Sequence, residues 1–465
     1  GAILWRNGNL TRYGQGIKAG APEIAFRRDV STFTSGMIFC DASRLAKCAP
    51  NADKVRTSDA RYAALCLMMA GNEGRIVYDP SVLARSPVQS ASDEFKKSED
   101  RAVIRQMFAG SLSRQPLTNT PLMKARDASG RPTVLILCED IPRLERGGQA
   151  QRALSLITAL DSDGYQVTVF PLNGGDGDRI LNALDFPPTV EIMSHSNLGT
   201  LGSFLEDRPS CFSSVWILGT RTLQRSSPLL EQYAACLPER GIILDTNQLH
   251  SLEEHHRRLV GCNNDEVKLL ADTAGELSAA WICQSIVASN DEEADVLRRL
   301  GYTHVHVLGH SLPEATIEIP NFDRRKGLLF AFPVLNSGDA VHDGLDWFMQ
   351  NVMRKLDRLL PPDATMLIAG YRGERVDFTP YGRFRRIEAL EDPSHLKDAY
   401  RDRRVLIAPT RVTGGKPYEV LAAASAGLPG VLGNNILKQL NWAEGESALN
   451  GGTSFRDVTT AILAS

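Results

Sequence analysis

Across 465 residues, 52 Lys and Arg stand against 55 Asp and Glu, a formal charge of −3, so no whole-chain field draws the protein to nucleic acid or to an anionic membrane. The 43% hydrophobic content suffices for the cores of roughly two to four domains, and no apolar run approaches the ~20 residues of a membrane helix. The eight cysteines, scattered without a CxxC or Cys/His cluster, read as reduced packing residues, and GAILWRNGNL carries no signal-peptide h-region, so cytoplasm is the expected compartment.

Residues 1–90 predict short strands at Gly1 to Trp5, Gly36 to Cys40 and Arg75 to Tyr78, with one helix from Ser58 to Ala70. That is too little for a complete nucleotide-binding sheet. Residues 91–131 read as a charged amphipathic helix, DEFKKSEDRAVIRQMF, followed by a Ser-, Thr-, Pro- and Gly-rich linker at which a domain boundary is expected.

Residues 132–322 then repeat a β-α-β grammar. Strands are predicted at PTVLILCED, QVTVFPL, VWILG, GIILD, SIVAS and HVHVLG, with a helix after the Gly147-Gly148 turn and another near 264–282. Ser289 with Glu292 three residues on reads as a capping box. Residues 323–465 continue with LLFAF, TMLIAG and RVLIAP as strands, and a helix whose Leu345, Phe348, Val352, Leu356 and Leu359 form one apolar stripe. The expected fold class is α/β, with two Rossmann-like doubly wound domains meeting across a cleft and a small α/β segment before them.

The densest signal is RVLIAPTRVTGGKPYEVLAAASAGLPGVLG (404–433). A continuous apolar run, Val405 to Ala408, marks a parallel strand covered on both faces, and a Gly-Gly turn leads into an alanine-rich helix. Free backbone amides at such a helix start, at the carboxyl end of a parallel strand, favour phosphate. Arg411, Gly414, Gly415 and Lys416 are therefore candidates to hold an anion such as a phosphate, with Gly147 and Gly148 on the opposing wall and Glu419 as a carboxylate for hydroxyls. Asp245 and His250, at the end of GIILD and in its loop, are candidates to orient or deprotonate an acceptor hydroxyl.

Five segments, VLILCEDIP with GGQAQR, ILDTNQLHSLEEHHRR, VHVLGHSLP, LLFAF with HDGLDWF, and RVLIAPTR with KPYEVLAAASAGLP, together make residues 132–465 resemble bacterial glycosyltransferases of the GT-B fold, in particular glycosyltransferase family 4. The resemblance implies transfer of a sugar from a nucleoside-diphosphate donor to a glycan or lipid-linked acceptor in surface-polysaccharide assembly, at the inner face of the membrane or in the cytoplasm. It implies no metal and no cofactor beyond the nucleotide sugar itself, with leaving-group charge met by Arg, Lys and backbone dipoles. Relatives carry a lysine, and three residues later a glutamate, where this chain has Glu419 and Ala422. That departure raises a second expectation, a catalytically degenerate homologue acting as a glycan-binding or scaffolding module.

Residues 1–90 resemble instead the carboxyl-terminal part of a GT-A glycosyltransferase of the family 2 type, through GAILWRNGNLTRYGQG, APE, TSGMIF and GRIVYDPSVL. Asp59 is the remaining acidic residue of its last helix, and no catalysis is expected there. Because Gly1 falls inside that pattern, other transferase domains of a longer polypeptide are expected partners.

Overall fold

The computed structural model describes residues 2–14, 16–18, 20–33, 38–52, 54–71, 74–82, 99–174, 186–261, 264–312, 320–334, 336–361, 363–370, 372–373, 376–384, 387–390, 396–412, 417–445, 448–451 and 455–464. Among these, no helix is long and apolar enough to cross a membrane. The chain divides into two compact units: Gly1–Ile141 with Thr158–Trp216 and Pro228–Gly241, and Pro142–Ile157 with Ile217–Ser227 and Ile242–Ser465.

In the first unit, strands β1 (Ala2–Leu4) and β2 (Leu10–Arg12) pair antiparallel, as do β3 (Arg28–Asp29) and β4 (Val77–Tyr78). Leu4, Ala60, Ala63, Ala64 and Ile104 close a small core between β1, the helix Ser58–Ala70 and the charged helix Asp100–Met107. The charged helix is thus part of this core, and its Asp100 accepts bonds from the Arg56 and Thr57 amides at 2.9 and 2.7 Å. Asp59, singled out in the sequence, is buried and takes both its bonds from Arg12, at 2.9 and 2.8 Å. The strand expected at Gly36 to Cys40 falls partly outside the described residues, as do TSGMIF and the end of GRIVYDPSVL.

The long apolar runs become the strands of two larger sheets. The first contains β5 (Thr133–Cys138), β6 (Gln166–Pro171), β7 (Glu191–Ile192), β8 (Ser214–Leu218), β9 (Ile242–Asp245), β10 (Ser285–Ala288) and β11 (Val305–Val307), ordered β11-β10-β9-β8-β5-β6-β7. The second contains β12 (Leu328–Phe330), β13 (Met366–Ala369), β14 (Ile387–Leu390), β15 (Val405–Ala408), β16 (Gly430–Leu432) and β17 (Leu449–Asn450), ordered β14-β13-β12-β15-β16-β17. Counted from its own first strand, each sheet runs third-second-first-fourth onward, the doubly wound order, with a switch point between its first and fourth strands. The pairs whose register is described in these sheets are parallel.

Six helices matter below: α1 (Gly148–Ser162), α2 (His250–Val260), α3 (Asp291–Arg299), α4 (Ala340–Phe348), α5 (Tyr418–Ser425) and α6 (Asn434–Leu440). Two local expectations shift. Asn290, not Ser289, caps α3, its side chain accepting from the Glu293 amide, while the buried Glu293 carboxylate accepts from the Ser289 and Leu249 amides. After α4 the helix makes one π turn over Met349–Met353. This rotates the face, so Leu345, Phe348, Met349, Val352, Met353 and Leu356 are buried while Leu359, at the end of the expected stripe, is 56% exposed.

Candidate functional site

In the second unit, the carboxyl ends of β12 and β15 flank the switch point of the second sheet. A cavity of about 250 Å³ opens there, lined by Phe332 and Pro333 after β12 and by Thr410 and Val412 after β15. Its remaining walls include Arg146, Gly148 and Arg152 around the start of α1, Asn247 and Gln248 after β9, His310, and Tyr418 with Glu419 at the start of α5.

Gly147 and Gly148 permit a close backbone approach. Gly147 has φ +87°, and a Cβ there would stand 2.5 Å from Pro333 Cγ; one on Gly148 would stand 2.6 Å from Tyr418 Cβ. Neither position has room for a side chain. The approach brings the Gly148 amide to the Glu419 carboxylate, which accepts its hydrogen bond. Burial is the largest influence on Glu419 and pushes its pKa up to about 7, against the bond from Gly148. Gly147→Ala is therefore expected to lose about 1–3 kcal/mol of stability from steric overlap and the left-handed backbone, and to weaken ligand binding at this cavity about tenfold, read by chemical denaturation and calorimetric titration. Unchanged binding would separate the glycine pair from the site.

Arg152 is on the second turn of α1 and nearly inaccessible. Its Nη1 donates to Asp245 Oδ1 at 2.6 Å, and its Nε and Nη2 donate to the Leu308 carbonyl at 3.0 and 2.9 Å. Asp245 has no exposed surface, and burial raises its pKa although Arg152 opposes the shift. It holds Arg152 in place and does not reach the cavity itself. His250 begins α2 as an exposed residue outside the cavity lining.

Two non-glycine residues adopt positive φ in the β9–α2 loop, Asn247 at 53° and Gln248 at 138°, and both line the cavity. Such strain persists where surrounding contacts enforce it, and it concentrates at ligand sites. Gln149 Nε2 donates to Gln248 Oε1 at 2.7 Å and braces the loop. Buried Thr410 Oγ1 and Asn247 Oδ1 have no hydrogen-bond partner among the described residues, although both residues border the cavity. Buried polar atoms are rarely left unsatisfied, so these two mark places for ligand atoms or water.

The other predicted residues are placed differently. Arg411 is engaged by Asp343, donating Nε at 3.1 Å and Nη2 at 2.7 and 2.9 Å. It borders a separate cavity of about 440 Å³ that shares Thr410 with the first. Gly414, Gly415 and Lys416 lie outside the described residues. Sequence reading overlooked Arg146, Arg152, Asn247 and Gln248 as site residues. The available signal for Arg152 was a charge set among the buried positions Ala153, Leu154, Leu156 and Ile157 of α1.

No protein-family model matches the chain, and no curated protein matches it. Among solved structures it is similar to a mutant of S. aureus TarM in complex with Fondaparinux, alpha-GlcNAc-glycerol and UDP, at 7% identity over 72% of this chain and 92% of that one, with a TM-score of 0.52. Anabaena Alr3699/HepE in complex with UDP-glucose aligns at 10% identity over 71% of this chain and 89% of that one, with a TM-score of 0.49. At these identities the likeness is one of fold. The α/β class with two Rossmann-like parallel sheets, of seven and six strands among the described residues, is the GT-B architecture expected from the sequence.

Proposed function

We propose that the chain is a glycosyltransferase that holds a nucleoside-diphosphate sugar in the switch-point cavity and passes the sugar to a hydroxyl of a glycan or lipid-linked acceptor, in assembly of a bacterial surface polysaccharide. The observation that carries this reading is the cavity itself. It stands where doubly wound sheets bind ligands, it is bordered by Arg146 and Arg152, and it contains the unsatisfied polar atoms of Thr410 and Asn247. The similarly folded TarM structure contains UDP, which supports a nucleotide of that class as donor.

In the proposed reaction the bond from the anomeric carbon to the diphosphate oxygen breaks and one from that carbon to the acceptor oxygen forms. The diphosphate leaves with the bonding pair, and the acceptor's proton passes to it or to water. Charge grows on the leaving group, so fixed cations and backbone amides give the largest benefit. Arg152, clamped by Asp245 and the Leu308 carbonyl, is pre-organised for this, and Asp245 acts as its positioning residue.

Calorimetric titration with UDP-glucose, UDP-N-acetylglucosamine and GDP-mannose tests the reading. Binding of at least one at micromolar to millimolar concentration is expected, and no binding by any at millimolar concentration would remove the enzyme assignment. The second reading, a silent homologue, is favoured by one contact: Glu419 already occupies the Gly148 amide with a carboxylate. If Glu419→Lys with Ala422→Glu turns over donors that the natural chain only binds, the silent reading stands.

A further inference from the structure

In the first unit, a cavity of about 310 Å³ is lined by Phe26, Lys124, Arg126, Arg131, Gln166 and Arg208, among others. Arg126 and Arg208 are almost wholly buried and converge on Glu191, which has no exposed surface. Arg126 Nη2 donates to Glu191 Oε2 at 2.6 Å; Arg208 Nη1 donates to Oε2 at 2.8 Å and its Nη2 to Oε1 at 3.0 Å.

A third guanidinium stands behind them. Arg28 is 2% exposed and lies against the rings of Tyr13, Phe26 and Tyr78, at 5.1, 5.1 and 4.4 Å from their centroids. Its hydrogen bond to the Phe26 carbonyl is long, 3.5 Å, and its Nε has no partner among the described residues. Phe26, in the cavity lining, is also covered by Arg126, 5.1 Å from the ring centre, so one ring contacts two guanidinium groups.

The charges do not balance. Arg126 and Arg208 are paired with Glu191, to which Arg28 is also close, Arg131 has Asp127 and Asp161 at 3.8 and 3.7 Å, and Lys124 stands in the same cavity lining. The neighbouring carboxylates are taken up elsewhere, Asp29 by Arg75 and Asp79 by Arg27. Among the described residues, five cations against three carboxylates leave an excess of two positive charges, and the three guanidiniums withdrawn from water, Arg28, Arg126 and Arg208, share Glu191, while Lys124 is exposed. Buried charge without a counter-charge is costly, and the guanidinium fork matches tetrahedral oxyanions.

We infer that this cavity is a binding site for a phosphate group, with Lys124 and Arg131 at its rim and the Arg28, Arg126 and Arg208 guanidiniums supplying the field from within. Ser210, also in the lining, offers a hydroxyl group to the same ligand. The site is independent of the proposed transferase activity, since none of its lining residues borders the switch-point cavity.

Thermal unfolding of the full chain, followed in sodium phosphate, in glycerol phosphate and in sodium chloride of matched ionic strength, tests this. Phosphate is expected to raise the midpoint saturably above chloride. The double variant Lys124→Ser with Arg131→Ser is expected to bind it at least tenfold more weakly, read as the shift in phosphate relative to the same variant in chloride. Equal effects of phosphate and its glycerol ester assign the site to organic phosphates, whereas an effect of phosphate alone assigns it to the free ion. No excess over chloride, or a double variant that binds as tightly as the natural chain, would overturn the proposal.

Discussion

Replacing Glu191 by alanine is expected to lower the stability of the first unit by about 3–5 kcal/mol, because removing one partner from a buried ion network leaves charges uncompensated. Here Arg126 and Arg208 would be left facing each other with Arg28 close by, and Thr168 Oγ1 would lose its bond to Glu191 at 3.0 Å. The loss should extend to the amino-terminal segment, since Arg126 also donates to the Tyr13 hydroxyl at 3.0 Å and to the Glu23 carbonyl at 3.2 Å. Denaturation followed by tryptophan fluorescence would read it, and a shift below about 1 kcal/mol would show that solvent reaches the cluster and screens it. Burial acts against the ionised form of Glu191, but Arg126 and Arg208 hold its pKa well below the ordinary carboxylate range. A depressed folded-state pKa gives stability that is present above the unfolded-state value and lost as pH falls through the folded one. The natural chain should therefore lose this contribution in acid, and the alanine variant should show a flatter acid limb.

Glu419→Gln is expected to act in the opposite direction and only at higher pH. The folded chain holds the Glu419 proton up to about pH 7, whereas the unfolded chain releases it near 4.5. Between these values the folded state binds more protons than the unfolded state, so stability declines as pH rises and levels off above 7. The full difference corresponds to about 3 kcal/mol. Glutamine keeps an oxygen for the Gly148 amide and carries no charge. The variant should match the natural chain near pH 5 and exceed it by up to about 3 kcal/mol at pH 8. Donor binding should follow the same logic. An ionised Glu419 repels a diphosphate at the Gly148 amide, so between pH 6 and pH 8 the natural chain should lose about tenfold in UDP affinity relative to the variant measured at the same pH values. Parallel stability profiles for the two proteins would place Glu419 in water and remove the pH argument.

Much of the fold was legible because it is written in near neighbours. Val405 to Ala408 is an unbroken apolar run, and it is a buried strand, as are the runs in β5, β9, β10, β12 and β13. Such runs report that both faces of a strand are covered, whatever covers them. Where local chemistry offered near-equal choices, the reading slipped. Ser289 and Asn290 are both good cap residues, and a buried glutamate one position beyond Glu292 decided for Asn290. The π turn after Phe348 has no periodic signature, and it turned Leu359 away from the core.

The sequence by itself determined the class of fold and the strands of the longest apolar runs, and it pointed to two segments, at Gly147-Gly148 and after Ala408, of which Gly148 and Thr410 line the candidate cavity. Tertiary structure decided what the charged residues do there. Asp245 became the clamp of Arg152 across 93 residues, Arg411 turned to Asp343 across 68, and Glu419 met the Gly148 amide. Strand and helix follow from interactions a few residues long, but the partner of a buried charge is chosen by desolvation, which depends on which distant segment removes its water.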